Sequence, residues 1–221
     1  MKVCTDACVF GAWVNEVMKK RKIKSVLDIG AGTGLLSLMM AQETKAGIDA
    51  VEIDENAFEQ MLRNFTASSW SERLRAFHAD ILRFESEKNY DLIISNPPFF
   101  SGDLKSPDKL RSRAMHESEL KLDSILDVSS MLLNDDGYLA LLMPYARLTE
   151  TFRRLLYFRF HLCEFKLVKR NYLDAGFRVM IVASKSQTVI NDSKELIIKQ
   201  PDGINYTEEF IRLLKPYYLK L

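Results

Sequence analysis

Cysteine is scarce: Cys4, Cys8 and Cys163 are the only three in 221 residues. Three scattered thiols make no disulfide framework, and no Cys-x-x-Cys or histidine pair stands at metal-ligand spacing. A metal site is therefore not expected, and a cytoplasmic setting is. Long apolar runs are missing too; none approaches the roughly 20 residues that a membrane span requires. Met1-Lys-Val-Cys-Thr-Asp6 lacks the layout of a signal peptide. Neither charge is in excess. With 31 basic and 30 acidic residues, no global field announces a polyanion partner, although local clusters can still supply one. Proline and glycine number only six and nine, so their clustering carries information. Two of the prolines are adjacent, Pro97-Pro98, and three of the glycines fall within five residues, Gly30 to Gly34.

The length and the 47% hydrophobic content suit one α/β domain over 1–221 and leave little for a second. Thr5-Asp6 opens a helix running to Met18, followed by the basic run Lys19 to Lys24. Residues 1–24 thus read as a lid helix and a basic run, with either Thr5 or Asp6 as a cap or as a cover over a ligand. Strands are expected at Ser25–Ile29, Ile48–Ile53, Leu74–Phe77, Leu92–Ile94 and Tyr138–Met143, and helices at Leu35–Gln42, Glu55–Phe65, Leu120–Leu133 and Arg147–Phe158. A turn at Asn134-Asp-Asp-Gly137 separates the third of these helices from the fifth strand. Strands His161–Lys169 and Phe177–Lys185 read as an antiparallel pair. A strand-like Leu196–Lys199 and a capped helix, Tyr206–Leu214, fall within a carboxyl-terminal extension, 193–221. This pattern implies a doubly wound, mostly parallel, seven-stranded sheet with helices on both faces and an antiparallel terminal pair.

Chemistry is concentrated at the strand ends. The first strand opens into Asp28-x-Gly30-x-Gly32-x-Gly34, a turn that lets backbone approach a ligand closely. Position 35 is Leu, which departs from the dinucleotide fingerprint and leaves no seat for a pyrophosphate. Glu52, about 20 residues past the turn, sits where a ribose would present two hydroxyls. Ile53 is its neighbour, and Asp54 reads as the cap of the next helix. Asp80, with Ile81, follows the third strand and could accept from an adenine amino group; His78 reads as packing. The fourth strand ends in Asn96-Pro97-Pro98-Phe99. Two prolines in succession fix φ and remove two donors, giving a stiff elbow that presents an amide, free carbonyls and aromatic rings. Such an elbow suits the grasp of a flat molecule bearing an amino group. The polar stretch Ser101–Leu120 is long for a connection, and Lys105, Arg111, Arg113 and His116 are candidate contacts to RNA.

The glycine turn, the acidic end of the second strand and Asn-Pro-Pro-Phe resemble S-adenosylmethionine-dependent methyltransferases of planar amino groups. The resemblance covers nearly the whole chain. Met1-Lys-Val-Cys-Thr-Asp-Ala-Cys-Val-Phe-Gly-Ala-Trp13, Arg113-Ala-Met-His-Glu117, Tyr206-Thr-Glu-Glu-Phe210 and Pro216-Tyr-Tyr-Leu-Lys-Leu221 are similar to segments of the tRNA1(Val) (adenine-37-N6)-methyltransferase family. Cys4 and Met115 depart from it, standing where Gly and Arg are usual. Members also commonly carry a short segment ahead of the Met-Lys-Val motif. The resemblance implies S-adenosyl-L-methionine as cofactor, with no metal, and tRNA as substrate, with no obligate protein partner. It implies catalysis by Asn96, Pro97, Pro98 and Phe99. It places the cofactor against Thr5, Asp6, Asp28, Gly30, Gly32, Gly34, Glu52, Ile53, Asp80, Ile81 and Asn96. Three other readings compete: an N5-glutamine protein methyltransferase, a DNA adenine methyltransferase and a non-catalytic cofactor-binding subunit. The glutamine enzymes usually have Tyr after the prolines and an extra amino-terminal domain. The DNA enzymes usually need a target-recognition domain, for which 221 residues leave little room.

Overall fold

The computed structural model describes residues 5–98, 122–186 and 194–219. Helix α1, Thr5–Met18, precedes β1, Ser25–Ile29; α2, Leu35–Glu43; β2, Gly47–Glu52; α3, Glu55–Ala67; β3, Leu74–His78; and β4, Tyr90–Ser95. Then come α4, Leu122–Leu132; β5, Leu133–Pro144; α5, Leu148–Tyr157; β6, His161–Lys169; β7, Arg178–Ser184; β8, Lys194–Ile197; and α6, Glu208–Leu214.

The strands form one sheet in the order β3-β2-β1-β4-β5-β7-β6-β8. Among the described residues eight strands are present, where the sequence pattern gives seven. The additional one, β8, is short and pairs parallel to β6 in the register Lys166↔Lys194 through Lys169↔Ile197. Only β7 runs against the rest, since it is antiparallel to both β5 and β6. Consecutive residues of β1 divide between two cores, as a strand covered on both faces requires. Val26 joins Ile48, Leu92 and Leu142 against Phe10, Trp13 and Met40 of α1 and α2. Leu27 and Ile29 join Ile93 and Leu141 against Ile125, Leu126 and Leu155 of α4 and α5.

The expected turn at Asn134–Gly137 is not the boundary of the fifth strand. Pairing with β4 starts at Tyr90↔Leu133 and resumes at Leu92↔Tyr138, so the intervening residues loop out of a longer strand. Asn134 Nδ2 donates to Asp91 Oδ1 at 2.7 Å and pins this loop to β4. The turn chemistry read from the sequence is present, but Leu133, fully buried, pairs beyond it.

Candidate active site

Strand order reverses between β1 and β4, and in open α/β sheets such a switch point is where a crevice opens at the carboxyl edge. The two strands end level, with Ile29 opposite Ser95. Buried Ser95 donates its Oγ proton to the Ile29 carbonyl at 2.8 Å, which locks the two ends together. The glycine turn and the Asn96-Pro97-Pro98 elbow therefore leave the sheet side by side, about 5 Å apart by ordinary strand spacing. Asn96 is half-buried, Pro97 buried and Pro98 exposed.

The turn is shaped by left-handed backbone at Gly30 (φ 67°), Gly32 (57°) and Gly34 (82°). Gly34 is needed twice over. A β-carbon there would lie 2.5 Å from Phe65 Cε1 and 3.0 Å from Met61 Cγ, besides being strained by its φ. The N–H groups of Gly30 and Ala31 both donate to the Val51 carbonyl, at 2.9 and 3.1 Å, and Asn64 Nδ2 donates to the Thr33 carbonyl at 2.8 Å. At Gly30, by contrast, a β-carbon would meet nothing within 4 Å. The turn is thus tied down from below and open above, a cradle that glycine leaves clear for a ligand.

Glu52, at the end of β2, is 9% exposed and uses both carboxylate oxygens. Oε2 accepts the Gly32 N–H at 2.7 Å and Oε1 accepts the Asp54 N–H at 2.8 Å. It positions the glycine turn as well as facing the edge where a ribose would lie. Beside it Ile53 is 58% exposed, an apolar side chain displayed at the same edge. Asp54 caps α3 through Ala57 N–H, 2.8 Å. Asp80 caps a single 3-10 turn over Ile81–Arg83, with Oδ1 accepting from Leu82 N–H at 2.9 Å. Ile81, expected at the cofactor, has its side chain 6% exposed in the α4/α5 core, so that only its backbone could meet a ligand. His78 stacks on Phe58 with centroids 5.1 Å apart.

Asp28 is fully buried beneath the turn. Oδ2 accepts from Ser37 twice, from Oγ at 2.7 Å and from the backbone N–H at 3.1 Å, and this anchors the first turn of α2. Oδ1 has no partner. Burial raises the carboxyl pKa to about 7; the two Ser37 bonds oppose the rise, and the negative charge of Glu52 adds to it. An orphaned acceptor below an open cradle is what a cationic ligand would satisfy.

Thr5 is exposed at the start of α1. Asp6 is engaged: Oδ2 accepts from Arg178 Nε at 2.9 Å and Oδ1 from Ala7 N–H at 3.0 Å. Arg178 opens β7, opposite Pro144 at the carboxyl end of β5, so the ion pair draws α1 onto the edge that carries the elbow. Nothing local in the sequence marks Arg178, which is 172 residues from Asp6. Asn64 and Ser95 were missed for the same reason: a polar residue in an amphipathic helix or at a strand end has no motif of its own. Among the basic residues, Arg154 forms an ion pair with Asp123 and lies over the Tyr157 ring, 4.8 Å from its centroid. Lys19 to Lys24 lie at the opposite edge of the sheet, before β1. Phe99, Lys105, Arg111, Arg113 and His116 fall outside the described residues.

Comparison with known proteins places this geometry. The family described as "Methyltransferase small domain" matches residues 11–141. The tRNA1(Val) (adenine(37)-N6)-methyltransferase of Flavobacterium johnsoniae is 38% identical, over 100% of this chain and 94% of its own. The protein of that name in Dyadobacter fermentans is 39% identical, over 100% of this chain and 91% of its own. A structure described as a predicted O-methyltransferase from Agrobacterium tumefaciens superposes with a TM-score of 0.72 at 17% identity, covering 95% of both chains. A glycopeptide N-methyltransferase complexed with S-adenosylmethionine superposes at 0.59 and 11% identity, covering 80% of this chain and 88% of the other. These two likenesses speak for the fold alone. Sequence identity maintained from end to end does more: the chain belongs to the tRNA1(Val) (adenine(37)-N6)-methyltransferase family.

Proposed function

We propose that this chain methylates the exocyclic N6 of an adenine in tRNA, adenine 37 beside the anticodon, with S-adenosylmethionine as donor. The observation that carries the reading is the level ending of β1 and β4, tied by Ser95 to Ile29, which sets the glycine cradle beside Asn96-Pro97-Pro98. The residues present fit the cofactor. Gly30 leaves open space, Glu52 stands at the end of β2 where this reading puts the ribose, Ile53 offers an apolar surface, and the orphaned Asp28 Oδ1 lies below. When bound, S-adenosylmethionine supplies an electrophilic methyl group on a sulfonium.

The chain's own residues deal with the amine. An adenine 6-amino nitrogen is nearly planar because its lone pair is delocalised, and so it is a poor nucleophile. In this reading the Asn96 side-chain oxygen and the Pro97 carbonyl accept its two N–H bonds and draw the nitrogen toward tetrahedral geometry. The Pro97 carbonyl is set before substrate arrives, since Pro97 and Pro98 hold φ and Pro97 is buried. Alignment of this kind is worth up to about 7–11 kcal/mol of barrier by effective-molarity arguments. No strong base is needed, because the methylated amine is cationic and sheds its proton readily. Phe99 is assigned to stacking on the extruded base, worth roughly 1–3 kcal/mol.

The test is transfer of labelled methyl from S-adenosylmethionine into tRNA lacking the modification, with nucleoside analysis. Label is expected in N6-methyladenosine and is expected to vanish with Asn96→Ala, while cofactor affinity is retained. Label in a protein fraction instead of RNA would replace this reading with amide methylation.

A further inference from the structure

At the amino edge of the sheet, opposite the elbow, the ends of α1, α2 and α6 line an open cavity of about 580 Å³. That volume is typical of small-ligand sites. Six lysines and arginines line it, against two carboxylates, Glu16 and Glu43. Part of this excess balances the three helix carboxyl ends, each carrying about half a negative charge. Glu164, 4.0 Å from Arg21, offsets one more, and a surplus of roughly one to two positive charges remains by the same reckoning. Arg212 is paired with Glu16 at 3.1 Å, and Arg21 lies over Tyr138, 4.2 Å from the ring centroid. Lys19, Lys22, Lys24 and Lys45 are exposed and take part in no ion pair among the described residues.

The polar lining is unusual. Asn15, 7% exposed, donates through Nδ2 to the Met39 carbonyl at 2.9 Å and to Tyr217 Oη at 2.8 Å. A carbonyl can only accept, so the amide orientation is fixed and Oδ1 faces away from it. That oxygen has no partner among the described residues. Tyr217 Oη already accepts from Asn15, which leaves its own proton to donate; burial raises its pKa to about 12 and keeps that proton in place. The lining therefore carries ammonium groups at the rim and, behind them, one hydroxyl donor and one unmet acceptor that is itself buried. A bare anion would satisfy the donors and leave Asn15 Oδ1 unmet. A phosphate attached to a hydroxyl-bearing sugar satisfies both.

We propose that this cavity binds a ribose-phosphate group, the phosphate at the lysines and a ribose hydroxyl toward Asn15. The chemistry is shared by an RNA backbone and by a free ribonucleotide. The strands between the cavity and the elbow span about 16–20 Å at ordinary strand rise. The occupant is thus not the phosphate of the target nucleotide itself. In its RNA form the proposal rests on the tRNA reading above; in its nucleotide form it stands without it.

The test uses the full chain with Lys22→Glu/Lys45→Glu, two surface changes, and Tyr217→Phe, which removes the hydroxyl donor together with the acceptor of the Asn15 Nδ2 bond. The probes are unmodified tRNA and adenosine 5′-monophosphate, with folding of each variant checked by thermal melting. If RNA is the occupant, the lysine pair raises the tRNA Kd at least tenfold and makes the slope of log K against log salt shallower by about 1.5. Tyr217→Phe raises that Kd several-fold with no change in slope. Cofactor affinity and turnover at saturating tRNA stay at wild-type values in both. If a nucleotide is the occupant, adenosine monophosphate raises the melting temperature of the wild type but of neither variant, and tRNA binding is unchanged. Unaltered tRNA binding together with no nucleotide effect overturns the proposal. So does a lysine effect that Tyr217→Phe does not share, since that reports only a general field. Loss of methylation in the wild type would instead overturn the proposed function, while the nucleotide arm still decides the cavity.

Discussion

Replacing Asp28 by Asn tests the burial of the carboxyl under the glycine turn. The folded-state pKa of Asp28 is about 7, against an ordinary 3.8. Roughly three pH units at about 1.4 kcal/mol each give about 4 kcal/mol. The sign follows from proton counts. Between pH 4 and 7 the unfolded chain has ionised this carboxyl while the folded chain still holds its proton. The unfolded state binds fewer protons, so wild-type stability falls with rising pH through this window and levels off above it. Asn cannot titrate, and its side-chain oxygen can still accept both bonds from Ser37. Urea unfolding of both proteins between pH 4.5 and 7.5 should show the difference in favour of Asp28→Asn growing by about 3–4 kcal/mol. A difference independent of pH would refute the burial argument and mean that water reaches the carboxylate. The functional corollary is equally direct. A cationic ligand above Oδ1 favours the ionised form, so binding S-adenosylmethionine near pH 6.5 should release up to one proton. Calorimetry in buffers of different ionisation enthalpy measures that release.

Two further outcomes are expected at the cofactor edge. Glu52→Gln is not conservative, because both oxygens accept backbone N–H groups and an amide must turn a donor toward one of them. Cofactor affinity should fall at least tenfold and stability by about 1–3 kcal/mol, measured by equilibrium binding and urea unfolding; unchanged stability would mean that the turn holds itself. Gly34→Ala combines left-handed strain with a clash against Phe65 and should lower stability by about 2–5 kcal/mol. Phe65→Leu in that background should restore part of the loss, and no recovery would place the cost in the backbone alone.

The sequence by itself determined what depends on near neighbours. Alternating buried runs and helical periods gave the strands and helices, because those preferences are short-range. The glycine spacing fixed the turn, the double proline fixed the elbow, and Glu52 and Asp80 could be placed at strand ends by counting. The tertiary structure alone decided which ends meet. That β4 lies against β1, with Ser95 bonded to Ile29, follows from competition among all the strands for partners. Leu133 pairs past a good turn sequence because β4 offers it a buried place. The strand-like run at Leu196 becomes an eighth strand of the sheet only because β6 lies beside it. Asp6 and Arg178 find each other across 172 residues, and Asn15 and Tyr217 across 202. An orphaned oxygen is the clearest case, for neither the motif that holds Asp28 nor the helix that holds Asn15 tells which acceptor is left unmet. Only the closed packing around them leaves an acceptor with nothing to accept.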